Sequence, residues 1–320
     1  MRTRIFPTTK TCIFSLLFFP LLLGSCSNPK KEKKEKPIAA GRLDFNTVKG
    51  ITFYEGKRRF STGLSFNEMG FQQEPSWQIR FKSNDTIEVY SPEEKKMFPF
   101  YITYDHGDVY NFAKNYFRIK KFSRDSLVFQ RLHLDRKEIS KDIRSDVYMT
   151  LYSKAFIDQK LKTSLEILQR PTPEDTAYVK RLTARANRNP ANADSAFAAR
   201  VPVQFKPLST LVKVQKKDDT DPVMGITIYD YMFPRFRIDI SKAYQDFGYE
   251  FSAVVDSKGK IHLGKFENVI EEHRDARKKT LQAIIDVYLH NLLQVIPGKT
   301  LGIAHPSEVT LIVVGKKAGN

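Results

Sequence analysis

Trp77-Gln78-Ile79-Arg80-Phe81-Lys82-Ser83-Asn84-Asp85-Thr86-Ile87-Glu88-Val89 alternates apolar and polar side chains, breaks at Ser-Asn-Asp, and then resumes the alternation. A strand presents successive side chains to opposite faces, so this is the pattern of two strands joined by a tight turn. The same period extends outward in both directions. Phe98, Phe100, Ile102 and Tyr104 line one face of a strand that ends at Asp105-His106-Gly107-Asp108. Tyr116 to Phe122 and Leu127 to Leu134 form a second hairpin around Ser123-Arg124-Asp125-Ser126. Ile51 to Tyr54 opens the series, and Val147, Met149 and Leu151 close it. About seven strands at meander spacing predict an antiparallel barrel or sandwich over residues 41–153.

Residues 154–200 change character and read as a helical spacer. Thr172-Pro173-Glu174-Asp175 supplies a capping hydroxyl, a proline at the first helical position and acids in the first turn. The helix is expected to run to about Asn187, before Asn189-Pro190. Its apolar residues (Ala177, Tyr178, Leu182, Ala186) are sparse, which suits a surface helix.

Residues 201–320 predict a second, α+β domain. Glu250 to Val255, the turn Asp256-Ser257-Lys258-Gly259 and Lys260 to Phe266 make a hairpin. A helix from Glu271 to Leu293 aligns Leu281, Ile284, Ile285, Tyr288, Leu289 and Leu292 on one stripe. Pro297-Gly298-Lys299 then breaks the chain, and Val309, Leu311 and Val313 mark one face of a last strand. The helix is expected to cover one face of a small antiparallel sheet.

Tyr231-Met232-Phe233-Pro234, the strand from Tyr249 into Asp256-Ser257-Lys258-Gly259, and Ile296-Pro297-Gly298-Lys299 before the final strand together resemble the carboxy-terminal domain of TonB. The resemblance implies a module that binds another protein. The chain has no inner-membrane helix or Pro-rich spacer, so binding without energy transduction is implied. The meander resembles, more loosely, the lipocalin-like domains of bacterial lipoproteins.

The amino terminus sets the expected location. Arg2, Arg4 and Lys10 precede the apolar run Ile13 to Leu23, which suits a signal-peptide core and is too short for a membrane span. Leu23-Gly24-Ser25-Cys26 then resembles the lipobox of bacterial lipoproteins. That resemblance implies residues 1–25 as signal peptide, cleavage between Ser25 and Cys26, and acylation of Cys26. Residues 26–40, with Ser27 to Pro37 reading SNPKKEKKEKP, offer nothing apolar to bury and form a charged tether. The expected location is the bacterial cell envelope, lipid-anchored and at the outer membrane.

Composition narrows the function classes. Cys12 leaves with the signal and Cys26 carries lipid, so thiol catalysis, disulfides and cysteine metal sites drop out. The net charge of +17 is spread along the chain, which suits solubility and weak attraction to anionic surfaces rather than a nucleic-acid site. Asp105-His106-Gly107-Asp108 is read as a turn before a metal site, and His133-Leu134-Asp135 as a solvent face. Glu271-Glu272-His273 lacks zinc-protease spacing and answers the helix macrodipole. Asp218-Asp219-Thr220-Asp221-Pro222 lacks the glycine and distal glutamate of a calcium loop. Tyr116 to Phe122 interleaves rings with cations, which is first the signature of an amphipathic strand. No Gly-x-Ser-x-Gly or phosphate loop is present.

A non-catalytic protein without cofactor or metal is therefore expected. Its first expected function is binding an envelope protein by strand addition, with Val309, Thr310, Leu311, Ile312 and Val313 as the exposed edge. The alternative makes the β-domain a carrier or sensor of an apolar or amphiphilic ligand, lined by Trp77, Phe81, Phe100, Tyr104, Phe117 and Phe129.

Overall fold

The computed structural model describes residues 41–217, 231–266 and 270–318. The expected signal peptide, Ser25, Cys26, the expected tether and residues Asp218 to Pro222 lie outside the described residues. Residues Ala40–Asn320 make one compact unit.

The alternating sequence becomes a meander: β1 (Thr52–Arg59), β2 (Gln78–Ser83), β3 (Thr86–Ser91), β4 (Lys96–Tyr101), β5 (Thr103–His106), β6 (Val109–Phe112), β7 (Asn115–Phe122) and β8 (Ser126–Leu132). A small hairpin, β9 (Leu134–Asp135) with β10 (Glu138–Ile139), precedes β11 (Val147–Ser153). The sheet order β4-β3-β2-β1-β11-β8-β7-β6-β5 brings first and last strands together, Phe53 opposite Ser153 and Arg59 opposite Tyr148. The two outermost strands, β4 and β5, are separated only by Ile102. One long strand thus pairs with β3 by its first half and with β6 by its second, and the sheet curls into a near-closed antiparallel barrel.

A short 3-10 turn (Phe45–Val48), capped by the Asp44 carboxylate, plugs one end. Phe45 enters the interior, stacked on Phe81 at 4.8 Å and edge-on to Tyr110 and Phe122. Gly50 takes a positive φ of 77°, which turns the chain from the plug into β1 while its N–H donates to the Phe81 carbonyl.

After β11 the chain runs through a π-helical turn (Phe156–Leu161) and α1 (Leu165–Leu168) into α2 (Pro173–Arg188). The capping box on α2 forms as its sequence predicts, between Thr172 and Asp175. The helix is less superficial than expected. Val179, Leu182 and Ala186 are buried, the last two against Phe197. A spacing that shows one apolar residue per turn is enough when a neighbouring segment comes down on it.

The carboxy-terminal part contains β12 (Gln204–Pro207), β13 (Val212–Lys217), β14 (Arg235–Ala243), β15 (Phe247–Val255), β16 (Ile261–Leu263), α3 (Glu271–Ile284), β17 (Leu293–Ile296), β18 (Lys299–Thr300), β19 (Ile303–Ala304) and β20 (Ser307–Lys317). A π-helical turn (Ile285–Leu289) and α4 (His290–Leu292) continue α3. The helical stripe Leu281, Ile284, Ile285 and Leu289 packs on Phe236, Ile238, Ile240, Leu311 and Val313 of the sheet. The chain is therefore α+β, as its sequence predicts.

Two expectations need correction. The sheet is mixed rather than antiparallel, because its order is β13-β14-β20-β15-β16 and β20 runs parallel to β14. The residues Val309, Thr310, Leu311, Ile312 and Val313 are consequently not an edge. β20 inserts between β14 and β15, which only Tyr244, Gln245 and Asp246 separate in sequence, and it pairs with both. Val309, Leu311 and Val313 point into the helix-covered core, and the backbone on both sides of the strand is engaged. A strand that carries Val309, Leu311 and Val313 on one face gains more from the centre than from the rim.

Candidate functional site

The change of partner at Ile102 leaves a seam in the barrel. The Ile102 N–H donates to the Asp85 carbonyl at 2.9 Å, and ladder alternation then sets the rest of β4. Phe98 and Phe100 face β3 with their backbone groups, whereas Met97, Pro99 and Tyr101 turn theirs outward. The β6–β7 hairpin ends at Ala113-Lys114. Among the described residues no strand covers the outer side of Lys96 to Tyr101. Pro99 fits this edge because it has no N–H to leave unpaired. Tyr101, on the outer face, is 84 % exposed.

A rim of half-buried apolar side chains borders the barrel core, with Phe100 on the seam strand and Val89 on its β3 neighbour. Trp77, Val89, Phe100 and Ala113 all pack against the barrel core without being enclosed by it. Val89 sits opposite Phe98 across the β3–β4 pair. Ala113 and Lys114 both hold left-handed backbone, at φ 47° and 61°, in a turn usually made by Asn-Gly. Below the rim, the interior is occupied by the protein's own rings. Phe112 stacks on Phe117 at 4.5 Å, Phe129 lies 5.8 Å from Phe117, and Trp77 meets Phe117 edge-on at 5.4 Å. The six residues expected to line a cavity thus divide. Phe81, Phe117 and Phe129 are core, while Trp77, Phe100 and Tyr104 stand half-buried at its boundary. An apolar guest would meet the rim of a filled barrel.

The other sequence candidates stay apart. His106 pairs with its neighbour Asp105 at the exposed end of β5, and Asp108 pairs with Arg118 of β7 at 3.2 Å. His133 faces Arg144, which is itself held by Asp142. Glu271 pairs with Arg274 one turn along α3. Among the described residues, no three His, Cys, Asp or Glu side chains gather as a metal requires. In Tyr116 to Phe122, Phe117 and Ile119 point inward and Lys120 and Lys121 outward, as an amphipathic strand requires.

Buried polar groups are what sequence reading missed. Glu55, at a β-bulge in β1, is fully buried and accepts from Arg58 Nε and Nη2 and from the N–H groups of Ser76 and Trp77. Asp175 accepts from Ser65 N, Thr172 N and Arg59 Nη1. Burial alone pushes its carboxyl up, but those three donors outweigh it and hold the pKa below the ordinary value. Only the cap role of Asp175 was written locally, in Thr-Pro-Glu-Asp. Its partner Arg59 lies more than a hundred residues away. These groups tie strand, loop and helix together.

No family model matches the chain, and no curated relative matches it. Among solved structures, the bovine lipocalin allergen Bos d 2 overlaps 45% of this chain and 89% of its own, at 13% identity and a TM-score of 0.22. An overlap at that score says nothing about ligand or activity.

Proposed function

We propose that this protein is a non-catalytic, lipid-anchored protein of the cell envelope whose barrel engages the apolar part of an amphiphilic molecule at its β4 seam. The observation that carries the reading is the half-buried apolar border of the core, which includes Phe100 on β4 and Val89 on β3, at a strand whose outer side no described strand covers. Apolar side chains at such a rim gain about 25 cal/mol for each Å² that a guest removes from water. The filled interior favours a guest held by part of its length over one swallowed whole. Strand addition has no comparable support. Val309 to Val313 are internal, and the outer strand β13 carries Lys213 and Lys217, charges that discourage edge pairing.

The protein carries a single tryptophan, and it stands at the rim. Titration with palmitate and with lysophosphatidylethanolamine, each below its micelle concentration, is expected to give a saturable change in Trp77 emission that Phe100→Ser weakens. An emission unchanged by both amphiphiles overturns the reading. The anchor is tested separately by intact mass. Protein from its host membrane is expected to begin at Cys26 and to carry acyl mass, and any other start rejects the anchor.

A further inference from the structure

We infer that the strap from Lys154 to Arg170, between the barrel and α2, is a contact surface for an anionic lipid bilayer. The inference does not depend on a guest at the seam. The strap reads KAFIDQKLKTSLEILQR and contains four cations against two acids, Asp158 and Glu166.

Its inner side is fully used. Ile157 is buried, Phe156 stacks on Tyr152 at 5.8 Å, and the Gln169 amide donates to the Glu55 carbonyl. These contacts fix the strap along the flank of β1 and β11. What remains faces water: Leu161 is 37% and Ile167 55% exposed. Lys160, Lys162 and Arg170 are exposed on the same strap, as is Lys154, which pairs with Asp158. Lys162 takes left-handed backbone, at φ 50°, where the π-helical turn ends.

Two large aliphatic side chains among exposed cations suit an anionic bilayer in both respects. The aliphatics enter the headgroup boundary, and each cation near the surface adds electrostatic attraction. The position on the fold agrees. The strap leaves β11 at Ser153, whose N–H donates to Asp125 O, and the neighbouring Arg124 donates to Thr47 O in the plug. It therefore begins at the plugged end of the barrel.

The compact unit, residues 40–320, can be sedimented with vesicles of phosphatidylcholine alone and of phosphatidylcholine mixed with phosphatidylglycerol. Association is expected with the anionic vesicles only, and is expected to weaken with added salt. Charge reversal by Lys160→Glu with Lys162→Glu, and separately Leu161→Asp with Ile167→Asp, is expected to reduce partitioning at least about five-fold. All four positions are solvent-facing, and circular dichroism confirms that each variant folds. Lys213→Glu with Lys217→Glu on the distant outer strand is the control for net charge. The inference is overturned by absence of binding to anionic vesicles, by full binding of either strap variant, or by an equal loss in the control.

Discussion

The imidazole of His305 lies flat on the ring of Phe197, with centroids 3.6 Å apart and planes 8° from parallel. Both are buried, and they join the segment after α2 to the β19–β20 connection. The Pro306 carbonyl lies 3.1 Å from Nδ1 and can only accept, so Nδ1 carries the proton. Nε2 then accepts from the Thr300 hydroxyl at 3.0 Å. Burial pushes this histidine down to about 4, with the Pro306 contact opposing weakly.

A pH dependence of stability follows. The unfolded chain takes up a proton near pH 6.5 while the folded chain refuses it until about pH 4. Stability is therefore fully present above 6.5 and falls between 6.5 and 4, by on the order of 3 kcal/mol. Asp175 and Asp256 also have lowered values, but their contribution is lost only below their ordinary carboxylate range. Urea unfolding at pH 7 and pH 4.5 measures the difference. His305→Gln is expected to be less stable at pH 7 but flatter across the window, and an unchanged slope assigns the effect elsewhere.

Removal of the Asp175 carboxylate is expected to be severe. Asp175→Ala leaves Arg59 without its partner and strands the Ser65 N–H in a buried site. Breaking a buried pair from one side costs about 3–5 kcal/mol. Asp142→Ala, in an exposed turn where Asp142 pairs with Arg144, is expected to leave stability nearly unchanged. Comparing the two midpoints in one denaturant series checks the contrast.

These two residues also mark how far sequence reading reaches. The barrel was legible because its information is local: Ile79 and Phe81 alternate with Arg80 and Lys82, and the turn Ser83-Asn84-Asp85 names the reversal. The helix stripe through Leu281 and Leu289 was legible for the same reason. The insertion of β20 between β14 and β15 was not, since parallel pairing of Leu311 with Phe236 leaves no mark near either residue. The seam was half legible. Phe98, Phe100, Ile102 and Tyr104 read as one strand, which they are, but the change of partner at Ile102 depends on where β3 begins and β6 ends. Partners such as Arg59 for Asp175 are chosen by the fold.

The Ala113-Lys114 turn is expected to respond to glycine. Lys114 holds φ 61° at the second position of a two-residue hairpin turn, where an L side chain is disfavoured. Lys114→Gly removes that strain and is expected to raise stability by about 1 kcal/mol, read as a higher urea midpoint. Ala113→Gly is a poorer choice, because the Ala113 methyl belongs to the half-buried rim. If the seam binds as proposed, Lys114→Gly should keep the Trp77 response and Ala113→Gly should weaken it.

Pro99 is expected to keep the seam from pairing with another chain. It occupies the middle of β4, its ring nitrogen turned to the side that no described strand covers. Met97 and Tyr101 present N–H donors on that side, and the proline interrupts them, so an incoming strand loses its central bond. Pro99→Val restores the donor and substitutes a residue that favours strands. Glu88, opposite Pro99 on β3, keeps its ion pair with Arg80, so the barrel should still fold. The expected outcome is self-association that grows with concentration, measured by sedimentation velocity against wild type, with circular dichroism unchanged. Self-association should also bury the rim and blunt the Trp77 response to palmitate. A folded Pro99→Val protein that sediments as wild type at every concentration would show that something other than Pro99 protects this edge.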